Sequence, residues 1–194
     1  MRTTATLLVL TALLSSACTA LPEQRADKGD PPPPPTTTSS TVTLPPRPQE
    51  VPLDAVDPCA VLNADQLTQL GLDSKPTAYV EPSFGNARAC TIRGLRGGNV
   101  ARLALVTASG VDVWLSDNAQ VDAQVGVVSG FPAVTVRTPG MEQLCNVEID
   151  VAEGQFLDVM FRDGGNSTPT QQDHLCLGAT RVAEAALAGL LHTR

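Results

Sequence analysis

The stretch Leu144-Cys145-Asn146-Val147-Glu148-Ile149-Asp150-Val151, then Ala152-Glu153-Gly154, then Gln155-Phe156-Leu157-Asp158-Val159-Met160-Phe161-Arg162, decides the fold. Polar residues alternate with apolar ones on both sides of a Glu-Gly pair. A period of two is the mark of a strand with one face against a core. Glu153-Gly154 supplies a tight turn between them, so Leu144 to Val151 and Gln155 to Arg162 are predicted as an antiparallel hairpin. Glu148, Asp150 and Asp158 then fall on the outward face, expected to be solvated.

Working outward, Ala133 to Arg137, Val100 to Thr107 and Arg88 to Arg93 read as further strands. Leu103, Leu105 and Thr107 share one face of theirs, as do Cys90 and Ile92. Ser109 to Gln124 is ambiguous; its Trp114 is expected to pack onto the sheet from a helix or loop. Asp163-Gly164-Gly165-Asn166 breaks the pattern as a turn. Pro169 to Leu191 reads as a long helix with Leu175, Val182, Ala183, Ala186, Leu187 and Leu190 near one face. Before the strands, Asp57-Pro58 opens a helix entry, and Asn63 caps a second helical piece, Ala64 to Leu70, which Gly71 stops. Ala60, Leu62, Leu67 and Leu70 are its expected buried residues. The predicted class is α+β: a mostly antiparallel sheet packed by a short N-terminal helix and a long C-terminal one. Residues 54–194 are long enough for one domain with a real core.

The N-terminal end carries a different message. Arg2 is followed by Leu7-Leu8-Val9-Leu10-Thr11-Ala12-Leu13-Leu14, too short for a span, and Ser15-Ser16-Ala17 close it with small residues. Residues 1–17 therefore read as a signal peptide with Cys18 as the first mature residue and the site of lipidation. Ordinary cleavage after Ala17, without lipid, is the competing reading. Of five cysteines, four lie in the domain and can pair off, which leaves Cys18 in need of its own explanation. The site resembles a bacterial lipobox, with Ser15 where Leu is commonest, and that resemblance implies several acyl chains, palmitate among them, enough to anchor stably at the outer face of the cell membrane.

Residues 18–53 hold almost nothing to bury. Pro31 to Pro35, a Thr/Ser tract and Leu44-Pro45-Pro46-Arg47-Pro48 favour open polyproline-like chain, predicted as a disordered stalk. Thr36, Thr37, Thr38 and Thr41 are candidate O-glycosylation sites, because Ser/Thr tracts with proline resemble glycosylated stalks.

Composition narrows the function. Without residues 1–17 the chain keeps 12 basic and 20 acidic residues, a net charge of −8. Such a chain does not suit a nucleic-acid backbone, and no basic cluster appears. Cysteines behind a secretion signal fit an oxidising compartment. Four domain cysteines allow three pairings; Cys59–Cys90 with Cys145–Cys176 is favoured, since each joins a helix start to a strand and neither crosses the other. No Cys-x-x-Cys spacing supports zinc, so no metal is expected.

Asp57-Pro58-Cys59 with Leu62, Leu70-Gly71, Cys90, Gly130-Phe131-Pro132-Ala133, Cys145 with Val147 and Ile149, and Cys176 opening the last helix resemble a family of secreted actinobacterial lipoproteins of the Lpp, Lpq and Lpr type, with one C-terminal domain of unknown function. The resemblance covers everything after the stalk and reaches the lipidated N-terminus. It implies an envelope lipoprotein with no settled activity. Ile92 stands where the family often has an aromatic residue, which implies different local packing there.

Catalytic motifs are missing from the sequence. There is no Gly-x-Ser-x-Gly, and His174 and His192 lie 18 residues apart on one helix, about five turns. Asp163-Gly164-Gly165-Asn166 lacks the frame of a calcium loop, and no cofactor is expected. Acid pairs among Glu148, Asp150 and Asp158 could serve glycosidase chemistry, but a solvated face is the plainer reading. Tyr79, Phe84 and Trp114 are expected in the core, with a groove between them as the alternative. The expected function is a non-enzymatic binding module held on the membrane by lipid, its partner an unknown envelope protein or ligand. A small-ligand or lipid carrier, which needs an apolar cavity of a few hundred Å³, and a hydrolase with an unfamiliar site are the alternatives.

Overall fold

The computed structural model describes residues 43–192. Cys18 and the threonines of the tract, Thr36, Thr37, Thr38 and Thr41, lie outside the described residues.

Seven strands form one antiparallel sheet: β1 (Thr77–Glu81), β2 (Ala87–Gly94), β3 (Asn99–Val106), β4 (Asp122–Val128), β5 (Phe131–Arg137), β6 (Leu144–Ala152) and β7 (Gln155–Asp163). Their order is β1-β2-β3-β7-β6-β5-β4. The opening hairpin is its centre: Cys145 pairs Phe161, Val147 pairs Val159 and Glu148 pairs Asp158. Its turn places Gly154 at φ +66°, a left-handed value that glycine adopts without a side-chain clash. The α+β class and both disulfides, Cys59–Cys90 and Cys145–Cys176, are as expected.

One face of the sheet carries Cys90, Ile92, Leu103, Leu105, Val147, Ile149, Leu157 and Val159, and α2 (Gln172–His192) packs across it. That helix is long and apolar enough to cross a membrane by length and composition alone. Here, however, Leu175, Val182, Ala183, Ala186, Leu187 and Leu190 are all buried within the core. The small helix α1 (Ala64–Gln69) begins where expected: the Asn63 side chain accepts from Gln66 N–H, and the Gln66 side chain accepts from Asn63 N–H.

Three expectations change. The helix entry at Asp57-Pro58 is a series of turns: Asp57 accepts from Cys59 N–H, Val61 and Leu62 are buried, and Ala60 is exposed. β1 and β4 appear where no strand was expected, as the two edges of the sheet. Lastly, the domain starts before residue 54. Val51 and Leu53 are buried, Val51 N–H donates to Val151 O, and Arg47 clasps Asp150 with two bonds of 2.8 and 2.7 Å. Residues 44–53 round the β6–β7 turn, from Leu44 at the second face of the sheet to Leu53 in the helix-side core. Leu44, Val51 and Leu53, with Arg47 and Glu50 bonded to Asp150 and Glu153 N–H, fasten this proline-rich segment to the sheet.

Candidate functional site

The second face of the sheet is where expectation and structure differ most. Alternation placed Glu148, Asp150 and Asp158 in solvent, yet Glu148 and Asp158 are 0% exposed and Asp150 only 7%. The cause is a cover of short elements. A 3-10 turn at Pro82–Phe84 and another at Val111–Leu115 lay Phe84, Val111, Trp114 and Leu115 over this face, where they join Val106, Val134, Val136 and Phe156. The Phe84 ring meets Trp114 edge-on at 6.1 Å and Phe156 at 5.7 Å. Tyr79, by contrast, is one-third exposed on β1 and hydrogen-bonds Glu81 at 3.0 Å. Phe84 and Trp114 thus serve the core, as the plainer reading had it.

Beneath the cover lies a polar chain. Arg102 donates to Asp158 at 2.9 Å from Nε and is 2.7 Å away from Nη2; its Nη1 reaches Glu81 at 3.0 Å. Asn146 donates to the other Asp158 oxygen at 2.6 Å. The Arg102 guanidinium sits 5.5 Å from the centre of the Phe84 ring, a cation–π contact. Glu81 also accepts from Ser83 and caps the first 3-10 turn. One cation therefore ties β1, β3, β7 and a cover turn together.

Glu148 faces this chain, with Asp158, Asn146 and Arg102 near enough to act on its carboxyl. Neither of its carboxyl oxygens has a hydrogen-bond partner, and Trp114 Nε1 is likewise buried without one. Burial pushes the Glu148 carboxyl well above the usual range, and the neighbouring Asp158 carboxylate adds to the shift. Burial raises Asp158 too, but Arg102 and Asn146 oppose it. Of the pair, Glu148 is shifted upward with less to oppose it, because Arg102 and Asn146 bond to Asp158.

A second feature lies at the far end of β7. Asp163 accepts backbone N–H bonds from Gly165, Asn166 and Thr170, each at 2.8 Å, and these hold its carboxyl far below the ordinary range. The expected turn at Asp163-Gly164-Gly165-Asn166 is thus an aspartate-organised loop. It borders an open depression of about 530 Å³ lined by Glu142, Arg162, Asn166, Pro169 and Thr170. Its lining mixes polar side chains with a larger share of apolar surface, and it lies open to solvent rather than forming an enclosed chamber. His174 and His192 are both exposed on α2, while Glu148 and Asp158 lie on the opposite face of the sheet. The sheet therefore stands between each histidine and the buried acids. Among the described residues no cluster of three metal-ligating side chains occurs.

A third feature is the free edge of β4. Among the described residues its one sheet partner is β5, and its register runs unbroken from Asp122 to Val128. Val125 and Val127 are 38% and 59% exposed. β1, the other edge, is bracketed by Pro76 and Pro82; β4 has no such proline and no lysine.

Together these features define a disulfide-clamped α+β domain with a sealed acid pair, an open depression and, among the described residues, a strand edge without a partner. A family model described as a protein of unknown function (DUF3558) matches residues 13–188, and the chain belongs to that family. No curated protein and no solved structure matches it.

Proposed function

We propose that this chain is a lipid-anchored envelope lipoprotein of actinobacterial type whose domain is a non-enzymatic binding module. The observation that carries the reading is the use of the cysteines. Both disulfides lie within the domain and account for four of the five, which leaves Cys18, behind its short apolar run, for lipid. The family match begins at residue 13, so it takes in Cys18 and the small residues before it. A binding rather than a catalytic role is supported by the sealing of Glu148 and Asp158 from solvent and by their separation from both histidines. The β4 edge supplies a surface: an extended segment of an envelope protein would add to it through main-chain hydrogen bonds, with Val125 and Val127 contacting its side chains.

Two measurements test this. Cys18→Ala is expected to move the protein from the membrane fraction to the medium; an unchanged membrane fraction overturns the anchor. A photoreactive side chain at Val127 is expected to capture an envelope protein in cells, while one at exposed Leu95 does not. Equal capture at both positions removes the edge as the binding surface.

A further inference from the structure

We propose that Glu148 and Asp158 hold one proton between them, and that this proton keeps the two 3-10 turns seated on the sheet, so that its loss uncovers the second face. The geometry carries this. The two residues are directly paired across β6 and β7, and both are 0% exposed. The charged and amide donors nearby are already engaged, and the buried donor left without a partner, Trp114 Nε1, is neutral. Arg102 is divided between Asp158 and Glu81, and Asn146 donates to Asp158. Arg47 is bound to Asp150 and Glu50. Strand β5 presents Val134 and Val136 to Glu148 and adds no charge, and the second 3-10 turn brings only exposed Asp112 and the indole of Trp114. Tyr79 on β1 is turned to Glu81. Arg102 is the cation these elements bring within reach of Glu148, and its charge is already shared by Asp158 and Glu81.

As an acid, Glu148 is neutral and has a hydroxyl to offer to the Asp158 carboxylate. Once that proton leaves for a base in solvent, two carboxylates stand opposed without water. A buried charge with no partner is among the costliest arrangements a fold can hold. The least expensive escape is to admit water, and the cover is the part that can yield. It consists of one three-residue turn and one five-residue turn. The strands beneath are held by ladders that run unbroken between β3 and β7 and, between β6 and β7, from Leu144 to Asp150. The sign follows: the stability that the neutral acid contributes is full at low pH and is lost as pH rises through the folded-state value of Glu148.

Trp114 is the only tryptophan of the chain and lies in the cover, so its fluorescence reports the event. With the full chain, infrared spectroscopy at neutral pH is expected to show a buried carboxylic-acid carbonyl band that Glu148→Gln removes. As pH rises the band should disappear, and Trp114 emission should shift to the red and become open to acrylamide while backbone circular dichroism stays native. Glu148→Gln should show no such transition. In Asp158→Asn the transition should move to lower pH, since the opposing charge is gone and Arg102 is released toward Glu148. The proposal is overturned by an absent band at neutral pH, by a band that persists until the backbone unfolds, by Trp114 emission that ignores the band's titration, or by an Asp158→Asn midpoint equal to the wild type's.

Discussion

Asp158 concentrates more of the second face than any other side chain, because it accepts from both Arg102 and Asn146 while lying opposite Glu148. Asp158→Ala would take from the Arg102 guanidinium, itself mostly enclosed, its fully buried ion-pair partner and leave it the ion pair already formed with Glu81. Removing one partner of a buried ion pair costs about 3–5 kcal/mol, and urea unfolding at pH 7 is expected to read a loss of that size. Asp163 behaves in the opposite way with pH. Its carboxyl is held low by three backbone donors, so its contribution is present above the ordinary aspartate value and is lost as pH falls through the folded one. Asp163→Asn is therefore expected to flatten the acid limb of a stability–pH curve and leave the alkaline limb, where Glu148 acts, unchanged. Chemical denaturation across pH separates the two.

At the scale of elements, glycine marks where helix and chain come closest. A Cβ on Gly189 of α2 would run into the Val61 carbonyl, and one on Gly178 would meet the Phe161 ring at 2.5 Å. Gly189→Ala is expected to destabilise by roughly 1–3 kcal/mol, despite alanine's better helix propensity, and a thermal melt shows which effect wins. Legibility in the sequence followed burial. β6, β7 and α2 were readable because Val147, Ile149, Leu157 and Val159, and Leu175 through Leu190, repeat at the spacing of one buried face. β1 and β4 were not, since edge strands such as Thr77–Glu81 are mostly exposed and leave no alternation to detect. The acid pair was misplaced because alternation says which residues share a face and not whether that face is wet. The cover that dries it comes from Pro82–Phe84 and Val111–Leu115, pieces too short to carry a period. One signal did exist. Arg102, at an even position of its strand, faces away from Leu103 and Leu105, and a lone arginine there needs acidic company. At the free edge, Val127→Lys is expected to change stability by less than about 0.5 kcal/mol while abolishing any strand addition at β4, measured by capture of envelope proteins.

For the molecule as a whole, the disulfides do what the core alone would do less well. Each closes a loop with a sequence separation of 31. Loop-closure entropy assigns about 3–4 kcal/mol to a bridge of that span. Cys145→Ala with Cys176→Ala should lower unfolding free energy by that order, and differential scanning calorimetry of the oxidised double variant measures it. The placement of Cys59 also matters when the molecule is pulled. Tension arriving along residues 43–58 first strips the Arg47–Asp150 clasp and the Val51–Val151 bond, then meets sulfur joined to the middle of β2. From there the load passes into the sheet directly, and residues 60–89, with α1 and β1 among them, stay slack. Single-molecule stretching should accordingly release about 100 Å less contour length for each intact bridge, at up to ~3.6 Å per residue, and thiol reduction should return it.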